Sequence, residues 1–345
     1  MVAIVLRSPA LCTGGYPKFC AAPCLVSHHR LRDRIVMRSS RLTDIQSMMP
    51  QFMTWIERCN NGLSSISQGS FTPFVVHGTT VGYVDGLFVK EHLERFPTVF
   101  NHSHGQLTLD ASVESMGLEE KSEVVGKALK QLHQEGVITG WRDEVYPVLT
   151  SFDAEPVLLM ERAASVYFGI KAYGVHVNGY VERDDGAIDM WVARRSATKP
   201  TWPGKLDHIV AGGQPHGLSP MDNVIKECEE EAGIGIDLAC KAKPVGAVSY
   251  CSQYSYGLKR DVLFCFDLKL PDDFKPVAND GEVDEFYRLP LEDVLDIVAR
   301  SEGDVYKDNC NLVVLDFMIR HGVITPGIPG YLELLRGLRP STELS

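Results

Sequence analysis

The chain has 345 residues, 44% hydrophobic and 23% charged, with a formal net charge of -11; this is an ordinary globular mixture, and the length suggests two domains at roughly 100–200 residues each. A broadly acidic surface repels phosphate backbones, which speaks against nucleic acid as an extended partner but not against a small phosphorylated ligand, because a bound cation inverts the local sign. No apolar run approaches the roughly 18 residues a membrane span needs, and nine cysteines without a CxxC pair speak against a disulfide framework or a zinc knuckle and for a reducing compartment.

From Met1 to Arg32 there is no Asp or Glu, while Arg7, Lys18, Arg30 and Arg32 stand among small residues. Residues 1–41 therefore read as an organelle transit peptide, chloroplast before mitochondrion. The alternative is a disordered tail on a cytoplasmic protein. Leu42 to Cys59 carries Ile45, Met48, Met49, Phe52 and Ile56 at helical spacing, and Asn60-Asn61-Gly62 stops it. Short strands are expected at 74–76 and 81–84, a helix over Leu87–Phe96, and a stronger helix from Gly117 to Gly136. In the last, Val124, Val125, Ala128, Leu129 and Leu132 share a face, and Gly136 suits the C-terminal cap. Trp141–Leu149 reads as a strand.

From Ile170 the pattern changes. Strands are expected at 175–181 and 190–195 around the Asp184-Asp185-Gly186 turn, then at 206–211, 246–250 and 261–270, with late helices at 290–300 and 309–321. The chain is thus divided into a smaller α/β domain at 42–165, a mixed-sheet α/β domain at 166–335 and a tail at 336–345.

The chemistry is concentrated in residues 212–234. Ser219 is a good N-cap, Pro220 fits the first helical position, Asp222 complements the dipole, and Gly233 lies where the chain leaves the helix. On that helix Glu227, Glu230 and Glu231 stand at i, i+3 and i+4 and share one face, while Val224 and Cys228 form the opposite side. Three crowded carboxylates repel unless a hard divalent cation neutralises them; Mg²⁺, or Mn²⁺, is the expected cofactor, neutralising a diphosphate and activating water. Taken alone, the acids would sooner suit a solvated helix face.

The full stretch resembles the Nudix box: Gly212 opens it, and Lys226-Glu227-Cys228-Glu229-Glu230-Glu231-Ala232-Gly233-Ile234 closes it in register. Two positions depart, Leu218 where the family has its first Glu and Lys226 where it has Arg. The resemblance implies a Nudix α/β/α sandwich with a mixed sheet, metal ligands at Glu227, Glu230, Glu231 and Gly212, and catalytic roles for Glu227 and Glu230. A further acid after the box is expected at Glu282 or Glu285, as ligand or general base. Ahead of the box, Arg194, Lys199, Trp202 and Lys205 are candidates to bind the substrate, the cations on phosphate and Trp202 on a ring. His208 and His216 read as structural.

With Ala211-Gly212-Gly213-Gln214-Pro215-His216-Gly217 and Asn309–Phe317, the chain is similar to one Nudix subfamily, the thiamine pyrophosphokinase-related group with a DUF4743-like N-terminal domain. That resemblance implies a small-molecule diphosphate substrate, here the diphosphates of oxy- or oxothiamine, hydrolysed to monophosphates. The other readings are hydrolysis of ADP-ribose, coenzyme A or another nucleoside diphosphate derivative, and a non-catalytic binding module.

Overall fold

The computed structural model of the chain describes residues 28–340 apart from positions 200, 280 and 304, with side chains from Asp44 onward. Residues 1–27 of the segment read as a transit peptide (Cys12, Cys20 and Cys24 among them), Asp280 and residues 341–345 of the tail lie outside the described residues. No helix among the described residues is long and apolar enough to cross a membrane.

The stretch expected to be helical from Leu42 is the second part of α1 (His28–Cys59), followed by the short α2 (Gly62–Ser67). Four strands come next, β1 (Phe71–Val76), β2 (Thr79–Asp85), β3 (Phe100–Ser103) and β4 (Gln106–Leu109), in the order β2-β1-β4-β3. Helix α3 (Leu118–Gln134) buries Val125, Ala128, Leu129 and Leu132 against Phe74, Val76, Leu107 and Leu109 of that sheet. Its apolar spacing foretold this face, and Gly136 follows it at φ 77°, where a side chain would be strained. A two-stranded ribbon, β5 (Val145–Val148) and β6 (Leu158–Glu161), packs on α3.

The helix expected over Leu87–Phe96 is instead one α turn at Gly86–Phe88 running into a π turn at Val89–Leu93. Asp85 caps the start by accepting from the amides of Leu87 and Phe88, and Val89 and Leu93 are both buried. Pro97, which disfavours helical geometry in the residue before it, follows closely.

Seven strands form the main sheet: β7 (Lys171–Glu182), β8 (Ile188–Arg195), β9 (Leu206–His208), β10 (Val210–Gly213), β11 (Lys243–Tyr254), β12 (Gly257–Lys269) and β13 (Val283–Pro290). The path β11-β12-β7-β8-β13 is mixed, since β12 and β7 are parallel and the other neighbours antiparallel. One face is covered by the part of α1 from Ile45 to Cys59, α5 (Leu291–Val298), α6 (Asp308–Arg320) and α7 (Tyr331–Leu338), which share a core with Met190, Val192, Val248 and Leu263. The other is covered by α4 (Pro220–Ala232), whose Val224, Cys228 and Ala232 are buried with Val175, Val177 and Phe266. A mixed sheet between helical layers, with a separate small sheet ahead of it, is the architecture the motif implied.

Of the two acids expected after the box, Glu282 precedes β13 and Glu285 lies within it, since β13 starts at Val283 and pairs with β8.

Candidate active site

The site is made by a split in the main sheet. β7 and β8 pair only over Tyr180–Glu182 and Ile188–Met190 and then part. β10 fills the opening on the β7 side, with Gly212 opposite Val175, and β9 fills it on the β8 side, with Asp207 opposite Ala193. The glycine pair therefore ends a strand at the mouth of a wedge, and α4 starts just beyond it.

Helix α4 begins and ends as its sequence implies. The Ser219 hydroxyl donates to Asp222 Oδ2 at 2.6 Å and accepts from the Asp222 amide at 3.2 Å, a cap worth about 1 kcal/mol. Gly233 closes the helix at φ 63°, with its amide and that of Ile234 returning to the carbonyls of Glu229 and Cys228.

The three acids of the shared face are graded in depth. Glu230 is exposed and Glu227 is mostly covered, with 49% and 15% of their side-chain surface accessible, and Glu231 is buried. Burial, with repulsion from Glu230 and Glu282, raises the Glu227 carboxyl above its ordinary range in spite of Lys226. Burial raises Glu231 well above it, against the opposing hydrogen bond from the Ala211 amide at 2.8 Å. Lys226 reaches Glu230 at 2.5 Å and Glu227 at 3.5 Å. At the position of the family's first Glu, Leu218 is 39% exposed, and its carbonyl accepts from Gln214 Nε2.

Carboxylate oxygens beside a backbone carbonyl are the donor type a hard divalent cation takes. A Cβ on Gly212 would lie 2.3 Å from the Glu227 carboxylate, so the bare backbone there forms a cradle for that side chain. A second approach of the same kind occurs next door, where a Cβ on Gly213 would lie 2.1 Å from the Tyr146 hydroxyl.

The remaining candidates divide. Lys199, Trp202 and Glu282 line the same cavity of about 550 Å³ as Gly212, Glu227, Glu230 and Glu231. Glu282 pairs with Lys199; burial opposes its charge, but Lys199, with Arg195 and Arg162, holds its carboxyl below the ordinary range. Arg194, Lys205 and Glu285 do not line it. Alternation along β8 sends Arg194 to the opposite face from Arg195. There Arg194 bonds Tyr287 Oη and the Gly204 carbonyl, and the same Tyr287 hydroxyl donates to Glu285. Lys205 enters β9 with its carbonyl held by the Arg195 amide. His216 is exposed, and His208 is buried against His176.

The cavity also has walls that local sequence did not single out. Arg142, Glu144 and Arg162 come from around β5 and β6, Tyr254, Tyr256 and Lys259 from the β11–β12 hairpin, and Lys307 from the start of α6. A contiguous cavity adds Tyr146, Tyr167 and Tyr173. Arg162 is anchored by Glu144 at 2.6 Å and lies over the Tyr146 ring. Asp261 supports the charge of Lys259, but burial together with Lys307 and Arg162 pulls the ammonium below its ordinary value. In a chain with net charge -11, this gathering of cations is a local reversal of sign. No signal in one sequence could have joined these residues, because they lie on segments up to 165 positions apart.

Residues 172–308 match the description "NUDIX domain", and residues 51–172 match "Domain of unknown function (DUF4743)". The chain is 48% identical over 290 residues to Nudix hydrolase 24, chloroplastic, of Arabidopsis thaliana, covering 84% of this chain and 77% of that one. It is 44% identical over 313 residues to Nudix hydrolase 20, chloroplastic, of the same plant, covering 88% and 82%. Among solved structures, a Caenorhabditis elegans Ap4A hydrolase binary complex matches at 15% identity with a TM-score of 0.33, over 44% of this chain and 99% of that chain.

Proposed function

The chain belongs to the Nudix hydrolases, which cleave pyrophosphate bonds, and from that premise we propose that it is a Mg²⁺-dependent diphosphatase acting on diphosphates of thiamine analogues such as oxy- and oxothiamine. The observation that carries the reading is the placing of Glu227, Glu230 and Glu231 on the same cavity as a cationic and tyrosine-rich wall. Its size, about 550 Å³, lies in the ordinary range for a small ligand.

Glu227, Glu230 and Glu231, with the backbone at Gly212, would hold the ion. When bound it would offset the charge of the diphosphate and ease deprotonation of a water. Glu282, kept ionised by Lys199, is the proton acceptor for the attacking water. Arg162, Lys259 and Lys307 take the charge of the phosphate oxygens. Tyr254 and Tyr256, stacked with centroids 5.6 Å apart, and Trp202 offer π faces to an aromatic or cationic ring. Residues 71–165 act as an accessory unit that shapes substrate choice through Arg142, Tyr146 and Arg162, while Ile45–Cys59 of α1 belongs to the core of the main sheet. The acid-poor start of the chain and the printed names of the two plant relatives support a chloroplast location.

The test is product release by the full chain with Mg²⁺ on thiamine diphosphate, oxythiamine diphosphate, ADP-ribose and coenzyme A, with Glu230→Gln as control. Preferred turnover of oxythiamine diphosphate, lost in the variant, supports the proposal. Turnover of ADP-ribose or coenzyme A instead keeps the reaction and discards the substrate. No turnover of any of the four compounds points to a binding module.

A further inference from the structure

Behind the acidic cavity lies a second group of donors that the hydrolytic chemistry does not use. His176 on β7, Asp207 and His208 on β9, and Cys310 on α6 each offer one donor atom, and these atoms lie within 4.8 Å of one another. All four side chains are buried. His176 Nδ1 is 3.0 Å from His208 Nδ1, Cys310 Sγ is 2.9 Å from Asp207 Oδ1, and His208 Nδ1 is 3.9 Å from that oxygen.

We propose that these four side chains form a structural Zn²⁺ site, separate from the carboxylates of α4. Two imidazole nitrogens, a thiolate and a carboxylate oxygen are a donor set that zinc takes in tetrahedral geometry. With bonds of about 2.0–2.3 Å, the edges of such a tetrahedron are roughly 3.4 Å. Three of the six separations, 2.9, 3.0 and 3.9 Å, lie around that value, and all six are within 4.8 Å. One further observation points the same way. Asp207 is oriented as a ligating carboxylate usually is: Arg195 binds Oδ2 at 2.9 Å, with Lys307 at 3.8 Å, and Oδ1 is turned to Cys310.

Burial and the neighbouring His208 keep the His176 imidazole neutral, as a ligand must be. The Cys310 thiol, which burial holds protonated, gives its proton to solvent as the zinc–sulfur bond forms. All four positions are filled by protein, so the ion would be structural and would not carry the hydrolytic water. It ties α6 to β7 and β9. Only a cavity of about 10 Å³, lined by Asp207, His208, Glu231 and Glu282, separates it from the acidic pocket. The inference does not depend on which diphosphate is cleaved.

The test uses the full chain, without a histidine tag. Elemental analysis of the purified protein is expected to find one equivalent of zinc. Replacement by Co²⁺ is expected to give the near-ultraviolet thiolate-to-cobalt band and the intense visible bands of a tetrahedral ion. Cys310→Ser should lose the band and weaken metal binding at least 10-fold. Glu230→Gln and Cys240→Ser, the latter removing the exposed free thiol among the described residues, should keep both. Failure of the wild type to hold zinc together with no thiolate band overturns the proposal, and so does a band that survives Cys310→Ser. If Cys310→Ser does not fold, the wild-type spectrum and His176→Gln decide in its place: a retained band in the latter also overturns the site.

Discussion

Gly212→Ala tests the metal cradle with the smallest change available. The added Cβ would lie 2.3 Å from Cδ and Oε1 of Glu227 and 2.5 Å from its Cγ. Gly212 is not among the residues with positive φ, so the backbone accepts alanine, and the side chain that must yield is Glu227. Forcing that carboxylate off its rotamer costs about 0.5–1.5 kcal/mol, and alanine returns about 0.4–1 kcal/mol by restricting the unfolded chain. The melting temperature should therefore move by no more than about 2–4 °C. Activity should respond far more. Displacing a metal ligand by an ångström is expected to lower turnover about 100-fold, equivalent to about 2.7 kcal/mol of barrier. The assay is kcat/KM for the best diphosphate of the panel, measured across a Mg²⁺ titration, beside a thermal melt. The expected signature is a raised Mg²⁺ requirement in a protein that melts normally. A variant within about threefold of the parent, with an unchanged Mg²⁺ curve, would refute the assignment of Glu227 as a ligand held against Gly212.

Glu230→Gln should leave the melt almost unchanged, because its exposed pair with Lys226 is worth about 0–1 kcal/mol, while turnover falls at least 10-fold; an active variant with unchanged Mg²⁺ dependence would remove Glu230 from the site. The raised carboxyls of Glu227 and Glu231 must lose their protons to hold metal, so apparent Mg²⁺ affinity should fall on acidification at a pH above the value of about 4.3 of a free glutamate; affinity that stays flat to that pH contradicts the burial argument, and Glu231→Gln should flatten the curve. Gly213→Ala, directed at the Tyr146 hydroxyl, should raise KM with less effect on kcat, which steady-state kinetics would read. Asp267 accepts from Asn178, both Nη atoms of Arg320 and His321, and although burial opposes its charge these bonds hold its carboxyl below the ordinary range. Its folded pKa is the lower one, so its contribution is present above the unfolded carboxylate value of about 3.9 and is lost as pH falls through the folded value. Asp267→Asn should cost about 3 kcal/mol at neutral pH, roughly 6–12 °C in a melt, and make the acid limb shallower; a neutral effect would show that the network is not stabilising.

The sequence determined the features that depend on neighbours along the chain. The caps at Ser219 and Gly233, the apolar line Val224–Cys228, and the shared face of Glu227, Glu230 and Glu231 follow from a period of 3.6 residues, and the helix has those bounds and that face. The α3 face was legible from the same period, and the β7–β8 hairpin from strand-like runs on either side of the Asp184-Asp185-Gly186 turn. The tertiary structure alone decided what these elements meet. Arg194 and Arg195 are adjacent in sequence, yet strand alternation and the pairing with β13 send one to Tyr287 and the other to Asp207. Glu285 reads as an equal of Glu282 until β13 forms and carries it away from the cavity. Arg142, Arg162, Lys259 and Lys307 enter the pocket, and His176 and Cys310 meet 134 positions apart, because the opening between β7 and β8 draws distant segments to one place. Local periodicity carries no information about such contacts; they exist only once apolar burial has brought the layers together.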